Sequence, residues 1–143
     1  MKKVLFVCTG NTCRSPMAEA IFNKLAKEKA CKVRSCSAGL FVENKKVEQN
    51  ARDALKTMGI TIRHKPTKIT REMFDSADLV LTMTREQKLL LEREVKSNKL
   101  FSIAEFTSGI DISDPYGQNL EKYIDTAKLL EFSIKTIINK MEK

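Results

Sequence analysis

An α/β domain wound around a mostly parallel sheet is what this sequence predicts, on three observations. Strand-like and helix-like stretches alternate along the whole chain. No internal repeat, low-complexity tract or linker interrupts them. The 143 residues, 42% of them hydrophobic, suffice for one domain, residues 1–143, with one sizeable core.

Residues 3–7 predict a buried strand, because Val4-Leu5-Phe6-Val7 is apolar without alternation. A turn over residues 8–15 follows, and then a helix over 16–29. Ser15 is the expected cap and Pro16 the first helical residue, where a missing N–H costs nothing. Glu19 is expected in the first turn, where it suits the dipole. Met17, Ile21, Phe22 and Leu25 share one face. Residues 32–37 predict a second strand ending at Ala38-Gly39, and 47–58 a helix stopped by Gly59. Thr70 caps a short helical turn leading into Ala77, and residues 78–82 form a third strand. Thr84 and Gln87 make a capping box for a helix to about residue 95. Residues 99–102 form a last short strand, and 119–141 a long amphipathic helix. Its stripe is Leu120, Ile124, Ala127, Leu130, Ile134, Ile137 and Met141, a pattern of core packing rather than of a partner site.

The net charge of +8 favours anionic partners, but the lysines are scattered over solvated faces. Basic residues are not interleaved with aromatics, so nucleic acid is not an expected partner. No stretch is apolar enough to span a membrane, and the run before Cys8 is too short for a signal peptide. A cytoplasmic address follows as the default. There, the four cysteines at 8, 13, 31 and 36 are expected as reduced thiols. Their spacing and the single histidine match no common zinc site, so neither metal nor other cofactor is expected.

The chemistry lies in Cys8-Thr9-Gly10-Asn11-Thr12-Cys13-Arg14-Ser15, set between a strand and a helix. A phosphate group needs several donors converging on its oxygens, and a tight loop entering a helix N-terminus supplies them from the backbone. Gly10 and Asn11 both tolerate positive φ, which turns successive N–H groups inward. Arg14 closes the ring and clamps two phosphoryl oxygens. The same donors stabilise a thiolate at Cys8, and Ser15 supports the sulfur as a leaving group. The loop lacks the Gly-Lys-Ser/Thr ending of a nucleotide-binding Walker loop.

The stretch from Val7 to Glu19 resembles the low-molecular-weight protein tyrosine phosphatase family. The likeness extends through Ser37-Ala38-Gly39, Asp78-Leu79-Val80-Leu81 with Met83, and Asp114-Pro115-Tyr116, over essentially the whole chain. It implies a four-stranded parallel sheet flanked by helices on both faces, with the site at the C-terminal edge of the first strand. It also implies Cys8 as nucleophile through a phosphocysteine, Arg14 as phosphoryl clamp, and Asp114 as general acid and then base. Thr9, Gly10, Asn11, Thr12, Cys13 and Ser15 would complete the phosphate loop, with Asn11 holding its backbone and Ser37 bracing it. The substrates would be phosphorylated proteins, met by a monomer.

Tyrosine phosphatases of the family carry a bulky aliphatic residue where this chain has Thr12, and two aromatics after Asp-Pro. Here Gly117 follows Tyr116, which removes part of the wall for a phenyl ring. Thr12 and Tyr116 are therefore the specificity residues, and the pattern resembles bacterial protein-arginine phosphatases. A guanidinium leaving group offers N–H donors that Asp114 can accept. Phosphotyrosine remains the alternative. Arsenate reduction would need cysteines beyond Cys36, and none occurs. A phosphocarrier domain would not need Arg14, and a non-catalytic binding module would not need Cys8, Arg14 and Asp114 together.

Other residues carry weaker signals. Cys13 is either a small buried residue or a redox partner shielding Cys8. Cys31 and Cys36 read as structural, His64 as exposed, and Asp111 as a support of the acid loop. Tyr123 is expected to be partly buried by the last helix.

Overall fold

The computed structural model describes residues 3–142. Strands β1 (Lys3–Cys8), β2 (Arg34–Gly39), β3 (Leu79–Thr82) and β4 (Leu100–Ser102) form one parallel sheet in the order β2-β1-β3-β4. The helices are α1 (Arg14–Glu28), α2 (Gln49–Lys56), α3 (Arg71–Ser76), α4 (Arg85–Glu92), α5 (Ile103–Thr107) and α6 (Leu120–Met141). Central β1 is buried on both sides, as its unbroken apolar run requires. Val4 and Phe6 join Leu79 and Leu81 in one core with α1, α2, α5 and α6. Leu5 and Val7 join Val80 in a second core with Phe74 of α3 and Leu91 of α4. Helices thus cover both faces. The chain passes from β1 to β2 on one side and then crosses to β3 on the other side of β1, so the C-terminal end of β1 lies at a switch point, where open α/β sheets place their ligands.

Several boundaries differ from the sequence-based expectation. β1 runs through Cys8, and β2 starts later, at Arg34, and includes Ala38 and Gly39. α1 begins at Arg14 with Cys13 as its N-cap and no side-chain capping bond, so Ser15 is not the cap. The Ser15 hydroxyl is instead taken up by Cys8 and Asn11. Pro16 still costs nothing, because it falls among the first four helical residues, whose N–H groups have no intrahelical partner. Glu19 lies beyond the first turn, and its carboxylate accepts from Ser37 of β2. α2 is shorter than predicted, and Val47 is buried ahead of it.

The capping box of Thr84 and Gln87 opens α4, and Thr70 caps α3 by accepting from Met73 N. The buried stripe of α6 is centred on Tyr123, Ala127, Leu130, Ile134 and Ile137. Leu120 is exposed, and Tyr123, at 1% exposure, is fully rather than partly buried. α5 was not predicted, although Ser102 and Glu105 form a second capping box. No described helix is long and apolar enough to cross a membrane.

Candidate active site

β1 delivers Cys8 to the sheet edge, and the next residues curl back into α1. Asn11 makes that curl possible, with φ of 57°. Asparagine tolerates this left-handed conformation better than other non-glycine residues. Gly10 does not share it: among the described residues of the loop only Asn11 has positive φ. Cys8 Sγ lies 2.8 Å from Ser15 Oγ and accepts from the backbone N of Asn11 at 3.2 Å.

The polarity of the surrounding bonds can be worked out from one fixed donor. Thr67 N can only donate, and it meets Asn11 Oδ1 at 2.9 Å. The amide nitrogen of Asn11 therefore faces the other way, toward Ser15 Oγ at 2.7 Å and Ser37 Oγ at 3.1 Å. Because Ser15 Oγ accepts from Asn11, its own hydrogen is available to Cys8 Sγ. Ser37 likewise accepts from Asn11 and donates to Glu19 Oε1 at 2.8 Å. His64 Nε2 lies 2.6 Å from the same Asn11 Oδ1, so that nitrogen carries the hydrogen. His64 Nδ1 then faces Glu19 Oε1 at 3.5 Å. Burial raises the Glu19 carboxyl above its ordinary value and lowers the His64 imidazole below its own, so both groups are pushed toward their neutral forms.

His64, expected to be exposed, is thus mostly covered, with a side chain 11% accessible, and it buttresses the loop from behind. Sequence reasoning missed this role and that of Glu19. It also missed Gln87, whose Nε2 donates to Thr9 Oγ1 at 3.0 Å while its Oε1 caps Met83 N and Thr84 N. None of these contacts follows a fixed spacing, since each joins the loop to a distant segment.

On the open side, Arg14 is 5% exposed and donates through Nη1 to Ile112 O at 2.9 Å. Its Nη2 stands 3.6 Å from Asp114 Oδ2. Asp114 is half exposed, and its Oδ1 accepts from Tyr116 N at 3.0 Å, so the turn aims the carboxylate. Gly117, at φ 81°, completes that turn. Asp111 Oδ1 accepts from Arg85 N, tying the segment before Asp114 to α4. Cys13 points its sulfur at the Tyr123 hydroxyl, 3.4 Å away, and burial pushes its thiol up to about 11. All four cysteines are free thiols.

These residues enclose a pocket of about 280 Å³, with Cys8, Thr9, Gly10, Thr12, Cys13 and Arg14 at its base. Asp114 and Tyr116 also line it, together with Phe41, Glu43 and Asn44, which the sequence did not single out. Three grooves of about 940, 610 and 570 Å³ are larger, but none of them is lined by a cysteine. Thr12 lines this pocket although it is nearly buried, and its carbonyl accepts from Glu48 N.

The model of the low molecular weight phosphotyrosine protein phosphatase family matches residues 3–143. The chain is 37% identical to a protein-arginine-phosphatase of Bacillus subtilis, over 98% of this chain and 97% of that protein. It is 35% identical to the low molecular weight protein-tyrosine-phosphatase PtpB of Staphylococcus aureus, over 87% of this chain and 88% of that one. Among solved structures it superposes, at TM-score 0.95 and 35% identity, on a YwlE arginine phosphatase. That structure is a cysteine-to-serine mutant with a phosphorylated active site serine, and the match covers 99% of this chain and 96% of the other. A family model spanning nearly the whole chain, on a fold and loop of this kind, places the protein in the low-molecular-weight phosphotyrosine protein phosphatase family.

Proposed function

We propose that the protein hydrolyses phosphoarginine in proteins, with Cys8 as nucleophile. The observation that carries the reading is the surrounding of one sulfur. Cys8 Sγ accepts from Ser15 and Asn11 N at the base of a pocket closed by Arg14 and Asp114. In the first step the Cys8 thiolate attacks phosphorus, an S–P bond forms, and the P–N bond to the guanidine breaks. Asp114 gives its proton to the leaving nitrogen. In the second step water attacks phosphorus, Asp114 takes a proton from that water, and the S–P bond breaks to return the thiolate. Arg14 donors and the loop N–H groups balance charge on the phosphoryl oxygens in both steps. The similarity to an arginine phosphatase whose serine mutant carries phosphate on its active site supports the covalent intermediate. A reduced Cys8 is required throughout, so we place the reaction in the cytoplasm.

Phosphotyrosine is the second reading, and one observation favours it. Phe41 and Tyr116 both line the pocket and are well exposed, so two aromatics flank the entrance although Gly117 removed one. The two readings separate on kcat/KM for phosphoarginine and phosphotyrosine peptides, measured with wild type and Thr12→Ile. The arginine reading expects a wild-type preference for phosphoarginine that the substitution shifts toward phosphotyrosine. A wild-type preference for phosphotyrosine, or a ratio unmoved by Thr12→Ile, refutes it. Turnover by Cys8→Ser at the wild-type rate would refute the mechanism for either substrate.

A further inference from the structure

Beside the Cys8 pocket lies a groove of about 610 Å³ between α3, the end of α4 and the segment that follows β2. Phe41 belongs to both cavities and forms the wall between them. That wall is tied to the phosphate loop by two backbone bonds, Leu40 N to Cys8 O at 3.0 Å and Phe41 N to Thr9 O at 2.8 Å. Phe74 and Leu91 make an apolar floor, each no more than 6% exposed, and Ile69 and Val95 extend it. Phe41 stands 62% exposed at the junction, an apolar surface that core packing does not explain.

The rim is mainly basic. Arg71 is paired with Asp75 at 3.1 Å, and Glu94 contributes one opposite charge. Lys68 and Arg93 make no ion pair among the described residues. The larger groove, which meets the pocket at Asn44 and runs near Lys45, Lys46 and Arg52, has only Val47 and Ile62 as apolar lining. Both grooves adjoin the pocket, the first through Phe41 and the second through Asn44, and so lie beside a polypeptide held by its phosphorylated side chain. Only the first offers both an apolar floor and unpaired cations.

We infer that this groove is a docking site for the substrate polypeptide beside the phosphorylated residue, and that it selects an apolar side chain accompanied by an acidic one. The apolar side chain lies on Phe74 and Leu91, and the carboxylate meets Arg93 and Lys68. The inference rests on the chain acting on phosphorylated protein.

The test uses para-nitrophenyl phosphate, which is too small to reach the groove, and synthetic phosphoarginine peptides. One peptide carries leucine and glutamate several residues from the phosphoarginine, a second carries alanine for leucine, and a third lysine for glutamate. Each is made with the pair on either side. Wild type, Arg93→Glu and Lys68→Glu are compared by kcat/KM; both positions are exposed and outside the Cys8 pocket. With the leucine–glutamate peptide of the productive polarity, each reversal is expected to lower kcat/KM about three- to tenfold. The lysine peptide should recover the loss, the alanine peptide should be poor with every enzyme, and para-nitrophenyl phosphate should be unaffected. Peptides turned over alike by all three enzymes would overturn the docking site and leave the phosphatase reading standing. A change in sedimentation on charge reversal, with peptide kinetics unmoved, would assign the groove to a second copy of the chain and also overturn it. A wild type that turns over no substrate would sink both readings.

Discussion

Replacing Asn11 by alanine removes a side chain that ties the loop of residues 8–15 to the segments behind it. Four hydrogen bonds end on its amide: two donated to Ser15 and Ser37, and two accepted from Thr67 N and His64. Thr67 is an exposed residue, and its bond is given the least weight. The other three bonds join groups that are buried or mostly covered, and a net hydrogen bond there is worth about 1 kcal/mol. Alanine must also hold φ near 57°, at a cost of about 1 kcal/mol. The sum is about 4 kcal/mol, a large share of the roughly 5–15 kcal/mol that stabilises a domain. For a chain of this length it lowers Tm by about 8–16 °C.

Scanning calorimetry and urea melts measure the loss, and a cycle with Ser37→Ala tests its origin. Because the two residues share a bond, their effects should fall short of additive by about 1 kcal/mol. Phosphatase activity, assayed well below the lowered Tm, should also fall, since Ser15 loses the donor that orients it toward Cys8. An Asn11→Ala protein melting within about 3 °C of wild type would refute this account of the loop. Strict additivity with Ser37→Ala would refute the shared bond.

Gly39→Ala should damage the site from outside it, because a Cβ there would lie 2.9 Å from Thr9 O and 3.0 Å from Asn11 Cβ. We expect a cost of about 1–3 kcal/mol in urea melts and a fall in kcat/KM of roughly tenfold or more as the loop is displaced. Wild-type kinetics would show that the loop yields freely. Glu19→Gln should change the pH dependence of stability. Burial raises the Glu19 carboxyl from its ordinary 4.5, so its contribution is full below about that pH and is lost as pH rises through the folded value. Relative to wild type the variant should therefore gain stability between about pH 4.5 and neutrality, and a flat difference in urea melts across that window would contradict it. His64 has the opposite sign. Its lowered value makes its contribution full above about 6.5 and lost as pH falls through the folded value, so His64→Gln should flatten the acid limb of the same curve.

Local chemistry made much of the fold readable. The apolar run of β1 allowed no exposed face, and the Thr84–Gln87 capping box opens α4 where its residues predict. The box of Ser102 and Glu105 was equally visible, yet α5 escaped because it is only five residues long and follows β4 without a break. The stripe of α6 was misjudged at its first turn, since hydrophobicity alone cannot tell Leu120, facing solvent, from Tyr123, facing Cys13.

The site divides along the same line. A phosphate loop is contiguous in sequence because its donors are successive backbone N–H groups, and residues 8–15 therefore announce themselves. The structure that holds the loop in shape is not contiguous. Asn11 is fixed from residues 37, 64 and 67, Thr9 from Gln87, and the backbone after β2 from Cys8 and Thr9. Each of these partners is chosen by where the sheet order β2-β1-β3-β4 brings it, and a solitary histidine carries no sign of that in its neighbours. Ser15 shows how the two levels meet. Its position before a proline has the form of a helix cap, but the competing bond to Cys8 Sγ moves the cap two residues earlier, to Cys13. At Ser15 the local rule fails because the side chain has been taken over by the sulfur.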